Sequence, residues 1–261
     1  MMASTAIASS RGSKIEVTLP NKQARLLAVA CSGAASMLNK VSYPMAEMEL
    51  RGFGKSRVEV DRFDLASYMS DFDAGIRQTK MKNSVLLGYS HGGYFTTMYA
   101  LRNPSKVSAL VLIEPALFTE RAELEHRAVL AEKGDGVGAI KAMLRYVDRE
   151  TGLDEDRSAA EAKKITDHAQ SSVTIAQELR IRAENPISER ELGELKMPVL
   201  LIGGTESRVA DMVIRAASCI PYASVSWVRG AGHLDLLYKP GNAKFHDRIA
   251  AVINGFMATL A

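Results

Sequence analysis

Apolar positions along this chain follow two periods, and the two alternate along its length. Short continuous runs read as strands: Lys14 to Leu19, closed by Pro20, then Arg25 to Ala30, Ala46 to Leu50, Ser84 to Gly88, Val107 to Ile113, Pro198 to Gly203 and Ser224 to Val228. Val85-Leu86-Leu87 and the stretch from Val107 to Ile113 are almost unbroken in their apolarity. That pattern suits parallel strands buried on both faces. Between the runs, apolar residues recur at helical spacing. Leu65, Tyr68, Met69 and Phe72 mark one face of a helix over Asp64 to Lys80, with Asp64 as its N-cap. Further helices are predicted over Tyr94 to Asn103, stopping before Pro104, over Val209 to Cys219 and over Ala243 to Leu260. Strands alternating with helices imply an α/β fold: a mostly parallel sheet with helices on both faces.

The texture changes between Leu117 and Leu192. Charges become dense, and apolar residues keep helical spacing throughout: Ile140, Met143, Leu144 and Val147, then Ala162, Ile165, Ala169, Ala176 and Leu179. This segment reads as a helical insertion. The expected organisation is a core of residues 14–116 and 193–261, a helical cap of residues 117–192, and a disordered leader over residues 1–13.

Composition narrows the picture. The chain has 261 residues, 47% of them hydrophobic, enough for one large domain with a sizeable core. A formal net charge of +3 gives no argument for nucleic acid or membrane partners. Cys31 and Cys219 do not make a disulfide framework, so a reducing, cytoplasmic setting is expected. No apolar run approaches the roughly 18 residues needed to span a bilayer. The N-terminus lacks the charged and apolar regions of a signal peptide. Oligomeric state is not legible in these features.

The chemistry starts at Gly88-Tyr89-Ser90-His91-Gly92, which matches G-x-S-x-G. An apolar strand runs straight into it and a helix follows, the context in which a serine on a tight turn projects its hydroxyl from a sheet. Glycines on both flanks let the strand and helix backbones approach. The following helix begins with free N–H groups and a positive dipole end, so the His91 N–H is placed to meet a developing oxyanion. An ordinary glycine-rich turn is the plain alternative.

The chain resembles the α/β-hydrolase superfamily from Lys14 onward. Four segments carry the resemblance in order: Ser32-Gly33, then Leu50-Arg51-Gly52-Phe53-Gly54-Lys55-Ser56, then Gly88 to Gly92, then Gly230-Ala231-Gly232-His233. The resemblance implies hydrolysis of esters, amides or thioesters, although similar folds include lyases, cyclases, dehalogenases and non-catalytic receptors. It makes Ser90 the nucleophile and His233 its base, a neutral imidazole that takes the serine proton during attack. His126, His168 and His246 lie in helical stretches and receive no catalytic role.

The acid departs from the family's pattern. An Asp usually follows the seventh strand, and here Ser207 stands at that position, beside Glu206. Glu114, at the end of the Val107 to Ile113 strand, is the other candidate. Haloalkane dehalogenases are similar in carrying the acid after the sixth strand. Glu114 is favoured over Glu206, and a Ser-His dyad without an acid stays open. On the opposite side, Ser32-Gly33 stands where the family commonly has His-Gly. The resemblance therefore implies an oxyanion loop at Gly33 and Ala34, with the Ala34 N–H as partner to that of His91.

No His or Cys spacing suits a metal. Gly134-Asp135-Gly136-Val137-Gly138 is glycine-rich but follows no strand, so no dinucleotide site is expected there. The expectation is an intracellular serine-nucleophile hydrolase of a small ester, thioester or activated amide, with a small-molecule substrate and no cofactor. A lyase, cyclase or acyl transferase on the same residues is the alternative. A ligand-binding pseudoenzyme is disfavoured by the intact serine and histidine.

Overall fold

A computed structural model describes residues 4–29, 39–60, 62–147, 155–236 and 243–260. The strands are β1 (Ser4–Ser10), β2 (Ser13–Leu19), β3 (Leu26–Val29), β4 (Met45–Met48), β5 (Arg57–Val58), β6 (Ser84–Tyr89), β7 (Val107–Ile113), β8 (Val199–Gly204) and β9 (Ala223–Val228). They form one sheet in the order β1-β2-β4-β3-β6-β7-β8-β9, with β5 pairing β2. From β4 to β9 every neighbouring pair is parallel; β1, β2 and β5 are antiparallel additions at one side. The mostly parallel α/β sheet expected from the alternating pattern is present.

Alternate residues of each central strand enter different cores, which is why the runs read as continuously apolar. Leu86, Leu110 and Leu112 pack with helices α1 (Leu65–Thr79), α2 (His91–Arg102) and α8 (Ala210–Cys219) on one face. Leu87, Val111 and Ile202 pack with α9 (Ala243–Thr259) on the other. Asp64 caps α1 as predicted, its side chain accepting from the Ser67 N–H. Arg51 of the Arg51-Gly52-Phe53-Gly54 segment is fully buried. Its guanidinium grips both carboxylate oxygens of Asp71 on α1 at 2.7 Å, fixing the turn that follows β4.

The N-terminus differs from the disordered leader expected over residues 1–13. Ser4–Ser10 pairs antiparallel with β2 along its whole length, from Ser4↔Leu19 to Ser10↔Ser13. The turn is Arg11-Gly12, with Gly12 at φ +69, a two-residue hairpin of the kind that needs a left-handed glycine. Ala8 and Ser10 point inward. Small residues on that face gave too little apolar contrast for the period of two to stand out.

Residues 117–192 run between β7 and β8 and are mostly helical: α3 (Arg121–Glu132), α4 (Gly136–Val147), α5 (Glu155–Thr166), α6 (Ser172–Glu184) and the short α7 (Glu189–Leu192). Helices α3, α4 and α6 share a small core of their own around Ala128, Ala139 and Leu179. Leu144 and Ala162 pack on Leu234, and Val147 packs on Val209 and Met212, at the loops that follow β9 and β8. The segment therefore sits over the edge of the sheet where the parallel strands end.

Candidate active site

Parallel register brings three strand ends side by side. Tyr89, Ile113 and Ile202 lie opposite one another across β6, β7 and β8, and Gly204 lies opposite Val228 of β9. The residues that follow each strand must therefore open on a common edge.

Ser90 follows β6 at φ +49 and ψ −117, a conformation that L side chains rarely adopt. The turn is tight because strand and helix nearly touch. A Cβ on Gly88 would stand 2.7 Å from the Gly92 carbonyl oxygen. The Ser90 N–H donates to the Ile113 carbonyl at 3.0 Å, and its own carbonyl accepts from Tyr94 and Ala116, so the strained residue is held on both sides. The His91 N–H opens α2 and donates to no described residue.

Glu114 follows β7 and also carries a positive φ, +39. Its backbone N–H continues the ladder to the Ile202 carbonyl, 2.9 Å away. Its carboxylate is 1% exposed, and both oxygens are satisfied. Oε1 accepts from the Gly204 N–H at 2.7 Å; Oε2 accepts from the Ser207 hydroxyl at 2.8 Å and meets His233 Nδ1 at 2.5 Å. On the far side of the ring, His233 Nε2 stands 3.2 Å from Ser90 Oγ. With Nδ1 carrying the ring proton, the carboxylate accepts it. Nε2 is then the lone-pair nitrogen facing the serine hydroxyl.

Sequence reasoning brought Ser90, His233 and Glu114 forward, and the fold brings them into one relay. It does not bring Glu206 there. That side chain is exposed and meets Thr205 at 3.4 Å, while its backbone N–H donates to the Ala231 carbonyl. The alternative acid is corrected on that ground: the loop after β8 turns Ser207 inward and Glu206 outward. Ser207 thus occupies the position where the family's acid was expected and donates its hydroxyl to Glu114. Gly33 and Ala34 lie outside the described residues.

Tyr89 was not singled out by sequence, although it occupies the variable position of the turn. Its ring stacks on His233 at 4.9 Å, and its hydroxyl donates to the His233 carbonyl at 3.0 Å. The preceding loop is pinned by Asp235, which accepts the Gly232 N–H at 2.8 Å. The imidazole is therefore held through its face, its backbone and its Nδ1.

A cavity opens from this relay toward the helical segment. Phe53, Ile140, Met143, Ile175 and Leu179 give it apolar walls, and His91, Glu178, Arg127 and Arg182 add polar groups. Glu178 on α6 is buried and lies 3.3 Å from His91 Nδ1 and 3.5 Å from Arg182. Burial pushes its carboxyl up, but His91, Arg182 and Arg127 together outweigh that and hold it at about 2. These side chains went unnoticed because helical periodicity marks the packed face of an amphipathic helix and does not identify which polar residues turn inward.

Among the described residues, no cluster of three or more His, Cys, Asp or Glu could hold a metal, and no helix is long and apolar enough to cross a membrane. Gly134 lies in the turn between α3 and α4, and Gly136 and Gly138 belong to the first turn of α4, where Asp135 accepts the Gly138 N–H at 2.7 Å.

Comparison with known proteins agrees with this architecture. The rat protein 1-acylglycerol-3-phosphate O-acyltransferase ABHD5 is 34% identical over 88 residues, which are 31% of this chain and 24% of that protein. The chain thus spans only about a quarter of the length of that relative. The AB hydrolase superfamily protein YisY of Bacillus subtilis is 26% identical over 209 residues, covering 72% of this chain and 75% of that one. Among solved structures, the enol-lactonase from Burkholderia xenovorans LB400 superposes with a TM-score of 0.79 at 16% identity, over 97% of this chain and 100% of that one. An esterase from Thermogutta terrifontis superposes with a TM-score of 0.77 at 18% identity, over 100% and 99%. At such identities the structures show a common fold. The serine aminopeptidase S33 family model matches residues 28–219, well over half of the chain. With that match, the chain belongs to the serine aminopeptidase S33 family of α/β-hydrolases, enzymes of the hydrolase type.

Proposed function

We propose that this chain is a serine hydrolase of small esters, thioesters or activated amides, working through Ser90, His233 and Glu114 beneath a helical cap formed by residues 117–192. The observation that carries this reading is the continuous relay from Glu114 Oε2 through His233 to Ser90 Oγ, at 2.5 and 3.2 Å, opening into a cavity. Ser90 Oγ attacks the carbonyl carbon while His233 Nε2 takes its proton. Glu114 keeps Nδ1 protonated and stabilises the imidazolium that forms. The His91 N–H, at the positive end of α2, receives the oxyanion, with the Ala34 N–H as its partner. The imidazolium then gives its proton to the leaving group, and a water activated by His233 releases the acyl group from Ser90. Catalysis on this reading needs no cofactor, and the two cysteines suit a reducing, cytoplasmic setting.

A second reading, acyl transfer to an acceptor other than water, draws support from the acyltransferase named among the relatives. Turnover of a panel of p-nitrophenyl esters and thioesters, with products identified by mass spectrometry, tests both. Hydrolysis by the wild type and its loss by at least about 10³-fold in Ser90→Ala support the hydrolase. Undiminished turnover in Ser90→Ala removes the nucleophile. Products that appear only when an alcohol acceptor is added favour transfer.

A further inference from the structure

Two arginines line the same cavity as Ser90, and some of their donors have no partner among the described residues. Arg127 on α3 and Arg182 on α6 are 6% and 5% exposed. Buried guanidinium groups normally have their N–H groups matched by acceptors. Among the described residues, the Nε of both arginines lacks any hydrogen-bond partner. Arg182 makes two long contacts, to Glu178 at 3.5 Å and Thr119 at 3.3 Å. Arg127 makes no hydrogen bond to any described residue. Its ion contact is with Glu123, at 3.9 Å, beyond hydrogen-bond range, and Glu123 does not line the cavity.

Glu114 is committed to His233, Ser207 and Gly204. Glu178 is the other cavity-lining carboxylate among the described residues, and Glu123 stands beside Arg127 at 3.9 Å. Burial and the neighbouring Arg182 bring the Arg127 guanidinium down to about 10, against the opposing pull of Glu123 and Glu178.

We infer that Arg127 and Arg182 form an anion subsite that binds a carboxylate carried by the substrate, distal to the bond that Ser90 attacks. The inference rests on the hydrolase reading above and narrows it to half-esters or related derivatives of dicarboxylic acids. A guanidinium fork meets a carboxylate with two parallel N–H···O bonds, which the idle donors of Arg127 are free to make. The apolar walls from Ile140, Met143 and Leu179 accommodate the methylene chain between the two ends of such a substrate.

The test uses p-nitrophenyl half-esters of straight-chain dicarboxylic acids, glutarate to suberate, each beside the same ester with its free carboxylate capped as a methyl ester. The wild type is expected to favour at least one free carboxylate over its capped partner by about tenfold or more in kcat/KM. Arg127→Gln is expected to bring that ratio close to unity, and Arg127→Lys to recover part of it. Should Arg127→Gln not fold, the wild-type pairs and Arg127→Lys decide. No preference in the wild type, or a preference for the capped esters, overturns the subsite and leaves the hydrolase standing. A preference that survives in both Arg127→Gln and Arg182→Gln overturns the assignment to these residues. Stronger binding of a phosphomonoester of matched length overturns the choice of carboxylate. Calorimetric binding of the same ester pairs to Ser90→Ala reads the subsite without turnover. Charge-selective binding there, with no hydrolysis by the wild type, would sustain the subsite and remove the hydrolase reading.

Discussion

Ser90 and Glu114 share an unusual backbone. Both are non-glycine residues with positive φ, at +49 and +39, and both stand one residue beyond the end of adjacent parallel strands. Such conformations cost about 1–3 kcal/mol each and persist where the surroundings over-determine them. The Ser90 N–H bonded to Ile113, and the Ala116 N–H bonded to Ser90, supply that constraint here. Glu114 is fixed further by donors from Gly204, Ser207 and His233. On the proposed mechanism, Glu114→Gln misorients the imidazole and lowers kcat/KM by about 10³–10⁴-fold, whereas Glu206→Gln changes it by less than about twofold. Steady-state kinetics on the two variants decides; the reverse ranking would move the acid into the loop after β8. Glu114 was legible because a charged residue directly after a continuously apolar strand has a fixed place at the sheet edge. Which of Glu206 and Ser207 turns inward was not legible, since neighbouring loop residues face opposite ways and only the folded turn sets which.

At the scale of elements, the turn from β6 into α2 depends on backbone contact. A Cβ on Gly88 would meet Gly92 O at 2.7 Å and Thr96 Oγ1 at 2.6 Å. Gly88→Ala should therefore force strand and helix apart, at a cost of about 2 kcal/mol in urea denaturation. Stability equal to the wild type would show that the contact tolerates a side chain. Helix α6 is tied to α2 through Glu178 and His91. Folding holds the Glu178 carboxyl at about 2, below its ordinary 4.5. A pKa depressed on folding adds stability above the unfolded value and loses it as pH falls through the folded value. The Glu178 contribution is thus complete above pH 4.5 and disappears toward pH 2. The stability difference between wild type and Glu178→Gln should shrink across that window; a difference that holds constant or widens contradicts the ion cluster. The strands and helices of the core followed directly from apolar period. β1 did not, because Ala and Ser facing the core carry almost no hydrophobic contrast. The polar residues of the cavity did not either, since they lie on helices whose pattern reports only the face packed on other helices.

Taken as a whole, the molecule places chemistry where its topology leaves no alternative. Parallel strands β6, β7, β8 and β9 end at one edge, and their loops supply Ser90, Glu114, Ser207 and His233 in turn. The helices between β7 and β8 line the cavity above that edge, so Ser90 faces both an apolar wall and a pair of buried arginines. Intact mass after reaction with a fluorophosphonate probe tests the central claim most directly, because the probe reacts with a serine only when a base activates it. The account predicts a single adduct on the wild-type chain, mapped to Ser90, strongly slowed in His233→Ala and missing from Ser90→Ala. An unmodified wild-type chain, or an adduct that persists in Ser90→Ala, would contradict it.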